Sequence, residues 1–517
     1  MVVLLKKINV ISLFLLSLLL LCALAVPQAY AATDRELSTS DTVNGDYSQW
    51  TTGSTYSYDV NPKIAIPQSY SEGFLGNTVF ELRNAYDLNP LYSEGYDGRG
   101  QTVVIVNAYG SPTIYEDILA FVKWQNNYGA NLPWTTLAEI KNHLRIYYPL
   151  GKPVFNNADQ NQLLWATETT LDVNMVHAIA PKANIALVIA PNDNNKPMDS
   201  AVHYAITHHL GSTISLSWGT PEYDLTGREA RKQVRIADAI YQEATDAGIT
   251  VFAGAGDWGA ANGAPINNPL FPSSDPYVTA VGGTNLFMSC YDNFKQGTNT
   301  WDGGNHVGSQ YSYEIAGNDY QAMVADGFPG LPEMPAPFDI VTTGGAMSSL
   351  FPLPSWQKGI TLTETDGTKI KPTGRCTSDV SFNSGVYGGL GLIFLSAESP
   401  GSPIATVAGG TSLGAPFWAA LTAIACQYSG HNLGYINPQL YANRDNYYRT
   451  GAFHDITIGD NTYPTGNPLN GYKATRGWDS PTGIGSPDAA ILVAKMNDGS
   501  NSGCKNNNDQ SKSNAHN

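Results

Sequence analysis

Charge is scarce in this chain. Asp, Glu, Lys and Arg together make up 14% of its 517 residues, against about 25% in an ordinary soluble domain. The 28 Lys and Arg residues form no long basic run, and the formal net charge is −16. Because nucleic-acid binding requires clustered cations that neutralise phosphates, the composition argues against a nucleic-acid partner. A low-charge, acidic chain suits a secreted enzyme better.

Cysteine is also scarce. Besides Cys22, which lies in the N-terminal apolar segment, the chain has only Cys290, Cys376, Cys426 and Cys504. Two disulfides could form, but the spacing identifies no pairing and matches no zinc-binding pattern. The 51 Gly and 31 Pro exclude a coiled coil or a helical solenoid, while 42% hydrophobic residues are enough for a large core.

Long apolar runs are missing everywhere except at the N-terminus. Two lysines precede an apolar run from residue 8 to residue 26, and residues 29–31, Ala-Tyr-Ala, form a small-x-small cleavage site. This pattern predicts a secretory signal peptide over residues 1–31 and a protein with no stable membrane association after its removal. The alternative is an uncleaved anchor, because the run approaches the roughly 20 residues that a membrane-spanning helix needs.

Composition divides the rest of the chain. Residues 32–78 are polar without a sustained period and predict a short extended lead-in with no full propeptide domain. Residues 79–495 predict a single large domain, interrupted by a Gly-, Asn-, Tyr- and Pro-rich loop insertion at about 288–340. The polar, low-complexity residues 496–517 predict a disordered tail.

Within the large domain, apolar runs alternate with helical stretches. QTVVIVNAYG, ANIALVIAP and ITVFAGAGD are among these runs, and a last buried helix, APFWAALTAIACQ, follows a Gly-rich turn. Apolar strands separated by helices are typical of an α/β fold in which a doubly wound, mostly parallel sheet has helices on both faces.

Two carboxylates stand in an apolar helical stripe. Glu168 and Asp172 are four residues apart in LLWATETTLDVNMVHAIA and share a helix face with Leu164, Leu171 and Met175. Burial and mutual repulsion would raise at least one pKa, which prepares a general base for acid pH. The alternative is a pair of acids on a solvated face, but the apolar neighbours favour a functional pair.

Two further candidates lie in Gly-rich segments. Ser412 in GGTSLGAPFWAAL stands where a turn meets a buried helix, whose first amides suit a developing oxyanion. Asp257 ends ITVFAGAGD, at the carboxyl edge of the sheet, where sites of open parallel sheets lie. The alternatives are an ordinary helix N-cap for Ser412 and a turn-forming residue for Asp257.

The usual base for a serine nucleophile, a histidine, is hard to find. His177 lies on the Glu168 helix but off the carboxylate face, which favours a packed or capping histidine. The histidines at 203, 208 and 209 end a different helix, and no HGTH stretch occurs.

Several motifs, in their order, resemble one family. ETTLD, SLSWGTPE, GAGDWG, GGAMSSLFPLPSWQ and GGTSLGAP, with FELRNAYDLNPLYSEGYDGRGQTVVIVNAYGSP before them, are similar to segments of the sedolisins, or serine-carboxyl peptidases. The resemblance runs from about Thr78 to Lys495. It implies a subtilisin-like fold in which Glu replaces the His base, and it makes residues 79–495 the peptidase domain.

The resemblance implies a role for each candidate. Ser412 would be the nucleophile, Glu168 the general base, Asp172 the acid hydrogen-bonded behind it, and Asp257 the protonated acid that donates to the oxyanion. A Glu base and a protonated Asp both suit an acid medium. The expected protein is a secreted, monomeric endopeptidase that hydrolyses protein or peptide substrates through an acyl-enzyme in an acidic environment.

A cation site is implied in the same way. FHDITIGD and ATRGWDSPTGIG resemble the calcium-binding segments of the family, which assigns one structural Ca²⁺ to the carboxylates of Asp455 and Asp479 and the backbone carbonyls of Ile456, Thr475 and Gly477. All-oxygen ligands suit calcium rather than zinc, although Thr475 stands where the family usually has Gly. From the residues alone, two ordinary turns are the alternative.

Two departures from the family pattern bear on the mechanism. Asn107 stands where the family often has an acid beyond Asp172, and where subtilisins have their triad Asp, so a full proton relay is not expected. The lead-in is also far shorter than the family's folded propeptide. A His-based subtilisin-like protease is disfavoured by the missing HGTH and by Asn107. A catalytically silent secreted binding protein is disfavoured by the complete set of four side chains.

Overall fold

An eight-stranded β-sheet lies at the centre of the protein. The computed structural model describes residues 56–59, 63–65, 76–288, 311–325, 340–395, 403–464 and 469–498. The predicted signal peptide, Cys290 and Cys504 lie outside the described residues. So do residues 289–310 and 326–339 of the predicted insertion and residues 499–517 of the predicted tail. The other two cysteines after the N-terminal segment, Cys376 and Cys426, are buried free thiols.

Helices and strands alternate through the described ranges. The strands are β1 (Lys63–Ala65), β2 (Thr102–Ala108), β3 (Leu144–Tyr147), β4 (Asn184–Ala190), β5 (Thr213–Leu216), β6 (Thr220–Pro221), β7 (Thr250–Gly254), β8 (Leu270–Phe271), β9 (Thr279–Met288), β10 (Tyr311–Ala316), β11 (Met347–Pro352), β12 (Leu362–Thr363), β13 (Lys369–Ile370), β14 (Gly374–Cys376), β15 (Val380–Asn383), β16 (Leu390–Leu395), β17 (Pro403–Gly409), β18 (Phe453–His454) and β19 (Ser486–Pro487). The α-helices are α1 (Val79–Ala85), α2 (Asn89–Ser93), α3 (Ile114–Asn126), α4 (Leu137–His143), α5 (Gln160–Ile179), α6 (Asn195–Thr207), α7 (Arg228–Asp246), α8 (Asp319–Ala325), α9 (Thr411–Ser429), α10 (Asn437–Thr450) and α11 (Ala489–Asp498). Short 3₁₀ turns occur at Glu222–Leu225, Gly259–Ala261 and Ser355–Gln357.

The central sheet is mostly parallel, as the sequence predicts. Its strand order is β10-β9-β7-β5-β2-β4-β3, and β15 pairs with the middle of β9. Every pair is parallel except β9 with β10. The continuous apolar runs of the sequence become the central strands, because a strand covered on both faces has no solvent side for polar residues.

Helices cover both faces of the sheet. On β2, Val103 and Ile105 belong to the core that also contains the buried faces of α3, α5 and α9. Val104 and Val106 belong to the opposite core, with the buried faces of α6 and α7. This division follows from the alternation of side chains along a strand, and it confirms the predicted doubly wound α/β architecture.

Two of the helices are buried along most of their length. The side chains of α9 are buried from Thr411 to Cys426, and α5 is almost completely buried from Trp165 onward. The two helices pack against each other. One detail of the predicted stripe on α5 is wrong: Leu164 is 43% exposed, because it lies in the first turns, before the helix enters the core.

The edges of the predicted domain differ in detail from the structure. Thr78 caps α1 in a capping box with Glu81, which fits a domain start at this point. Part of the predicted surface insertion is folded, because β10 extends the sheet beside β9 and α8 follows it. Helix α11 runs to Asp498, three residues into the predicted tail. No helix in the described ranges is long and apolar enough to cross a membrane.

Candidate active site

The carboxyl ends of three parallel strands meet the start of α9. Asn107 lies near the end of β2, Ser217 directly follows β5, and Asp257 lies just beyond β7. Ser412 is the second residue of α9. Ser217, Asp257 and Ser412 line one cavity of about 140 Å³. Sites of open parallel sheets lie at this edge, so the fold brings Asp257 and Ser412, which were predicted from separate motifs, to one cavity.

Glu168 is fully buried in the middle of α5. Burial raises the pKa of its carboxyl well above the usual value, and the neighbouring charge of Asp172 adds to the rise. Interaction with the Ser412 hydroxyl lowers the pKa of Glu168, and the charge of Asp257 raises it further. No donor of the described residues stands in hydrogen-bond geometry to either carboxylate oxygen. Glu168 is thus a buried carboxyl group that interacts with the hydroxyl of Ser412.

Asp172, one helical turn later, is held by two donors. Its Oδ2 accepts a hydrogen bond of 2.9 Å from Nδ2 of Asn107, and its Oδ1 accepts one of 2.6 Å from Oγ of Ser217. Burial raises the pKa of Asp172 to about 7, against the effect of these two donors. Glu168 interacts with Asp172 through its charge rather than through a hydrogen bond of the described structure.

Asn107 ends the chain of polar groups behind Asp172. Its amide nitrogen donates to Asp172, and its Oδ1 has no hydrogen-bond partner in the described part of the chain. The side-chain amide of asparagine has no titratable proton, so it neither takes up nor releases one in acidic or neutral solution. The expectation that the proton relay stops short of Asn107 is consistent with this geometry.

The turn before α9 sets the position of Ser412. Gly410 has φ of 90° and ψ of 158°, a conformation that favours glycine. Oγ1 of Thr411 accepts a 3.0 Å hydrogen bond from the backbone N–H of Gly256, which ties the turn to the end of β7. Ser412 is 6% exposed and lies in the first helical turn.

Asp257 lies on the other side of the same turn. Its Oδ1 accepts a 2.7 Å hydrogen bond from the backbone N–H of Thr411, and its backbone carbonyl accepts one of 3.1 Å from the N–H of Thr342. The side chain is therefore fixed against the residue that precedes Ser412, at the border of the cavity.

Among the residues that the structure describes, no histidine lines this cavity. His177 is buried on α5 and stacks on Trp134, with 3.9 Å between ring centroids. Burial lowers its pKa to about 3, so it is a neutral core residue. The interpretation of His177 as a packed histidine is confirmed.

Two residues of the site were not singled out from the sequence. Ser217, within SLSWGTPE, bonds to Asp172 and lies 3.3 Å from the backbone oxygen of Ser412. Its place directly after a buried strand was the available signal. Trp258 is 42% exposed, lines the cavity and lies 5.4 Å from the ring of Tyr463. Nothing in the sequence separates this exposed tryptophan from a core residue.

The two segments of the predicted cation site also come together. The carboxylate of Asp455 accepts hydrogen bonds of 2.9 and 3.1 Å from the N–H of Gly477, and Oδ2 of Asp479 accepts one of 2.9 Å from the N–H of Thr475. Burial raises the pKa of Asp479 well above its usual value, and the charge of Asp455 contributes. The described residues contain no group of three or more His, Cys, Asp or Glu placed to hold a metal, so a site here would need backbone carbonyls.

Known proteins resemble the chain in sequence. No protein-family model matches it. Kumamolisin from Bacillus sp. (strain MN-32) is 29% identical over 85% of this chain and 66% of its own length. Physarolisin from Physarum polycephalum is 25% identical over 80% of this chain and 72% of its own. The chain thus spans about two thirds of the length of these curated relatives.

A solved structure resembles the fold. Pseudomonas sedolisin, a serine-carboxyl proteinase complexed with two molecules of pseudo-iodotyrostatin, matches with a TM-score of 0.60 and 24% identity, over 82% of this chain and 98% of that one. The chain is therefore similar to members of the sedolisin family in sequence and in fold. The sedolisin resemblance predicted from six motifs is thereby confirmed, and so is the subtilisin-like α/β fold of the sedolisin family.

Proposed function

We propose that this chain is a secreted, acid-active serine-carboxyl endopeptidase that cleaves peptide bonds in proteins. One observation carries the proposal: Glu168, Ser412 and Asp257 converge on a single turn at the carboxyl edge of the sheet. Similarity to the sedolisins in sequence and fold supports a serine-type peptidase, with protein or peptide substrates. The apolar N-terminal run supports secretion.

The first step would be attack by the Ser412 hydroxyl. Glu168, which interacts with that hydroxyl, would take its proton while Oγ bonds to the carbonyl carbon of the scissile bond. The same proton would then pass to the leaving amine, and water would hydrolyse the acyl-enzyme by the reverse sequence. Asp172, which is fixed by Asn107 and Ser217, would hold Glu168 in place and share the negative charge of the pair with it.

The negative charge that develops on the carbonyl oxygen needs a donor. Asp257 accepts from Thr411 through Oδ1, so a proton on Oδ2 would leave it able to donate to the oxyanion. It can do so only while protonated, which requires an acid medium. A low content of Lys and Arg limits self-repulsion in such a medium, where most carboxyl groups become neutral.

One structural calcium ion is part of the proposal. Asp455 and Asp479 would supply carboxylate oxygens, and Ile456, Thr475 and Gly477 backbone carbonyls. Two neighbouring carboxylates, one of them fully buried, are a donor set that a hard cation would stabilise.

The test is hydrolysis of a denatured protein between pH 2 and pH 8 by the wild type, Ser412→Ala and Glu168→Gln. We expect a wild-type maximum in the acid range and a loss on the order of 10³-fold or more in each variant. Internal fragments by mass spectrometry would establish endopeptidase cleavage. A neutral optimum, or activity that survives Glu168→Gln, would contradict the mechanism, and an inactive wild type would favour a silent binding protein.

A further inference from the structure

Two motifs of the sequence meet beside the cavity, and a buried glutamate joins them. Glu222 ends the motif SLSWGTPE and is fully buried. Its Oε1 accepts a 2.6 Å hydrogen bond from Oγ of Ser348, and its Oε2 accepts bonds of 2.7 and 3.3 Å from the N–H groups of Ser349 and Leu350. These donors belong to the motif GGAMSSLFPLPSWQ. Neither Glu222 nor this second motif takes part in the proposed catalysis.

The backbone of β11 is irregular where it meets Glu222. This strand pairs with β14 through Met347 and Pro352, and the register shifts between these two residues. Within the irregular stretch, Oγ of Ser348 also accepts a 3.1 Å hydrogen bond from the N–H of Leu350. The N–H groups of this stretch are therefore directed at the two side chains rather than at the neighbouring strand, as happens where a bulge interrupts a ladder.

Glu222 directly follows one wall of the cavity. Gly219 and Pro221 line the cavity, and so does Leu270. Pro221 pairs with Leu270 where β6 meets β8, and the N–H of Glu222 donates a 3.1 Å hydrogen bond to the carbonyl of Pro269. Each of these two strands is only two residues long. Because so short a ribbon is not stable by itself, the position of this wall depends on the contacts that Glu222 makes behind it.

The chain segment that supplies the donors also holds a second wall of the cavity. Residues 342–351, here named the bridging segment, begin beside the end of β7. The N–H of Thr342 donates to the carbonyl of Asp257 at 3.1 Å, and the N–H of Gly344 donates to that of Gly256 at 2.7 Å. Gly256 and Asp257 both line the cavity. One continuous segment is thus attached to both walls, to one by backbone hydrogen bonds and to the other by the carboxylate of Glu222.

We propose that Glu222 is a positioning residue for substrate binding, whose carboxylate fixes the wall Gly219–Pro221 relative to the nucleophile turn. This inference deepens the proposed peptidase function and rests on it for its kinetic consequence. Glu222 is not among the described residues that line the cavity, so it acts through the wall. Because Glu168 and Ser412 lie on α5 and α9, loss of the Glu222 contacts should weaken substrate binding and leave the chemical step unchanged.

The kinetic test is Glu222→Ala in the full chain, with carboxymethylated lysozyme as an unfolded substrate. We expect KM to rise about tenfold, the equivalent of one lost hydrogen bond between substrate and wall, while kcat stays at the wild-type value. Glu222→Gln should keep KM near that of the wild type. Its Oε1 still accepts from the two N–H groups, and its Nε2 donates to Ser348, because a hydroxyl accepts as well as donates. Ser348→Ala should raise KM by a smaller factor and serves if Glu222→Ala does not fold.

Glu314→Ala is the matched control for the kinetic test. Glu314 is also a buried glutamate whose carboxylate accepts hydrogen bonds from hydroxyl groups, those of Tyr86 and Thr284. It is not among the described residues that line the cavity. Its replacement should lower the melting temperature without changing KM. An unchanged KM for Glu222→Ala, or equal increases of KM in Glu222→Ala and Glu314→Ala, would overturn the inference.

A binding test separates this inference from the proposed catalysis. Fluorescein-labelled carboxymethylated lysozyme is titrated into Ser412→Ala alone and into Ser412→Ala combined with either Glu222→Ala or Glu222→Gln, with fluorescence anisotropy as the readout. Glu222→Ala should raise the dissociation constant about tenfold, and Glu222→Gln should leave it unchanged. Equal dissociation constants, or no binding to any of the three proteins, would overturn the inference. Absence of hydrolysis by the wild type would contradict the peptidase function alone, since the binding comparison still decides the role of Glu222.

Discussion

Gly410 and Asp257 are in such close contact that a side chain on the glycine would collide with the carboxyl group. A Cβ at Gly410 would lie 2.7 Å from Oδ2 of Asp257. Because Gly410 also has φ of 90°, this position requires glycine for two independent reasons. The contact sets how near the proposed oxyanion donor can come to the nucleophile turn.

Gly410→Ala should therefore lower kcat. The methyl group would displace the Asp257 carboxyl, and loss of one oxyanion donor costs about 10²–10³-fold. Gly430→Ala, at the other end of α9, is the control, because it has φ of 73° but no atom within 4 Å of its Cβ position. Both variants carry a backbone penalty, so equal losses of kcat would contradict a specific effect on Asp257.

Ser217→Ala should move the acid limb of the pH profile. The hydroxyl lowers the pKa of Asp172, which burial raises to about 7. Without this donor the carboxyl pair would hold its proton to higher pH, so the acid limb of kcat/KM should shift upward by about one to two pH units, since a hydrogen bond to a charged group contributes about 1.5–3 kcal/mol.

The matched control for that shift lies two residues earlier. Ser215 is buried on β5, the strand that ends just before Ser217, and its hydroxyl has no hydrogen-bond partner in the described ranges. Ser215→Ala should leave the pH profile in place, and Ser217→Thr should restore it. Identical acid limbs for Ser217→Ala and the wild type would show that Asp172 does not influence the base.

Asp199→Asn should change the pH dependence of stability. Burial raises the pKa of Asp199 to about 8, and the hydrogen bond from Tyr58 opposes this only in part. A raised pKa in the folded state means that the neutral form stabilises the fold. This contribution is complete below the unfolded pKa near 4 and is lost as pH rises towards 8, at up to about 1.4 kcal/mol of unfolding free energy per pH unit.

The amide remains neutral at every pH in this window. Between pH 4 and pH 8, the urea-measured unfolding free energy of Asp199→Asn should decline less than that of the wild type. Asp445→Asn, at an exposed position on α10, should decline like the wild type. Parallel curves for all three proteins would contradict a buried, neutral Asp199.

Calcium removal should destabilise the protein if Asp455 and Asp479 hold an ion. At pH 6, EGTA should lower the melting temperature by several degrees, because an ion at 100 times its dissociation constant contributes about 2.7 kcal/mol. In Asp479→Asn, added calcium should no longer raise the melting temperature. A wild-type melting temperature that is insensitive to both EGTA and added calcium would mean that these carboxylates form ordinary turns.

The sequence was sufficient to predict the architecture because the central strands are apolar on both faces. The runs around Val104, Val188 and Val251 each became a strand of the parallel sheet, and the strand order then brings their carboxyl ends to one edge. Glu168 and Asp172 could be recognised because helical spacing places them among apolar neighbours. Leu164 was assigned wrongly since periodicity gives the face of a helix but not the residue at which the helix enters the core.

Other features depend on tertiary contacts that periodicity does not encode. The hydrogen bond from Ser217 to Asp172 joins a strand end to a helix 45 positions earlier in the chain. The burial of Tyr58 arises from a polar, Tyr-rich stretch that has no period of its own. The pairing of β10 with β9 lies in a region whose composition indicates a loop. In each case the local structure depends on the part of the same chain that the segment packs against.

The burial of α9 links the proposed catalytic centre to the global stability of the protein. Because the side chains from Thr411 to Cys426 are all buried, opening this helix would expose much of the core, and its amides should exchange with solvent only as slowly as the whole domain unfolds. For the proposed peptidase, this means that the segment carrying Ser412 would not be exposed as a cleavable loop while the domain is folded. Self-digestion would have to begin at other parts of the chain.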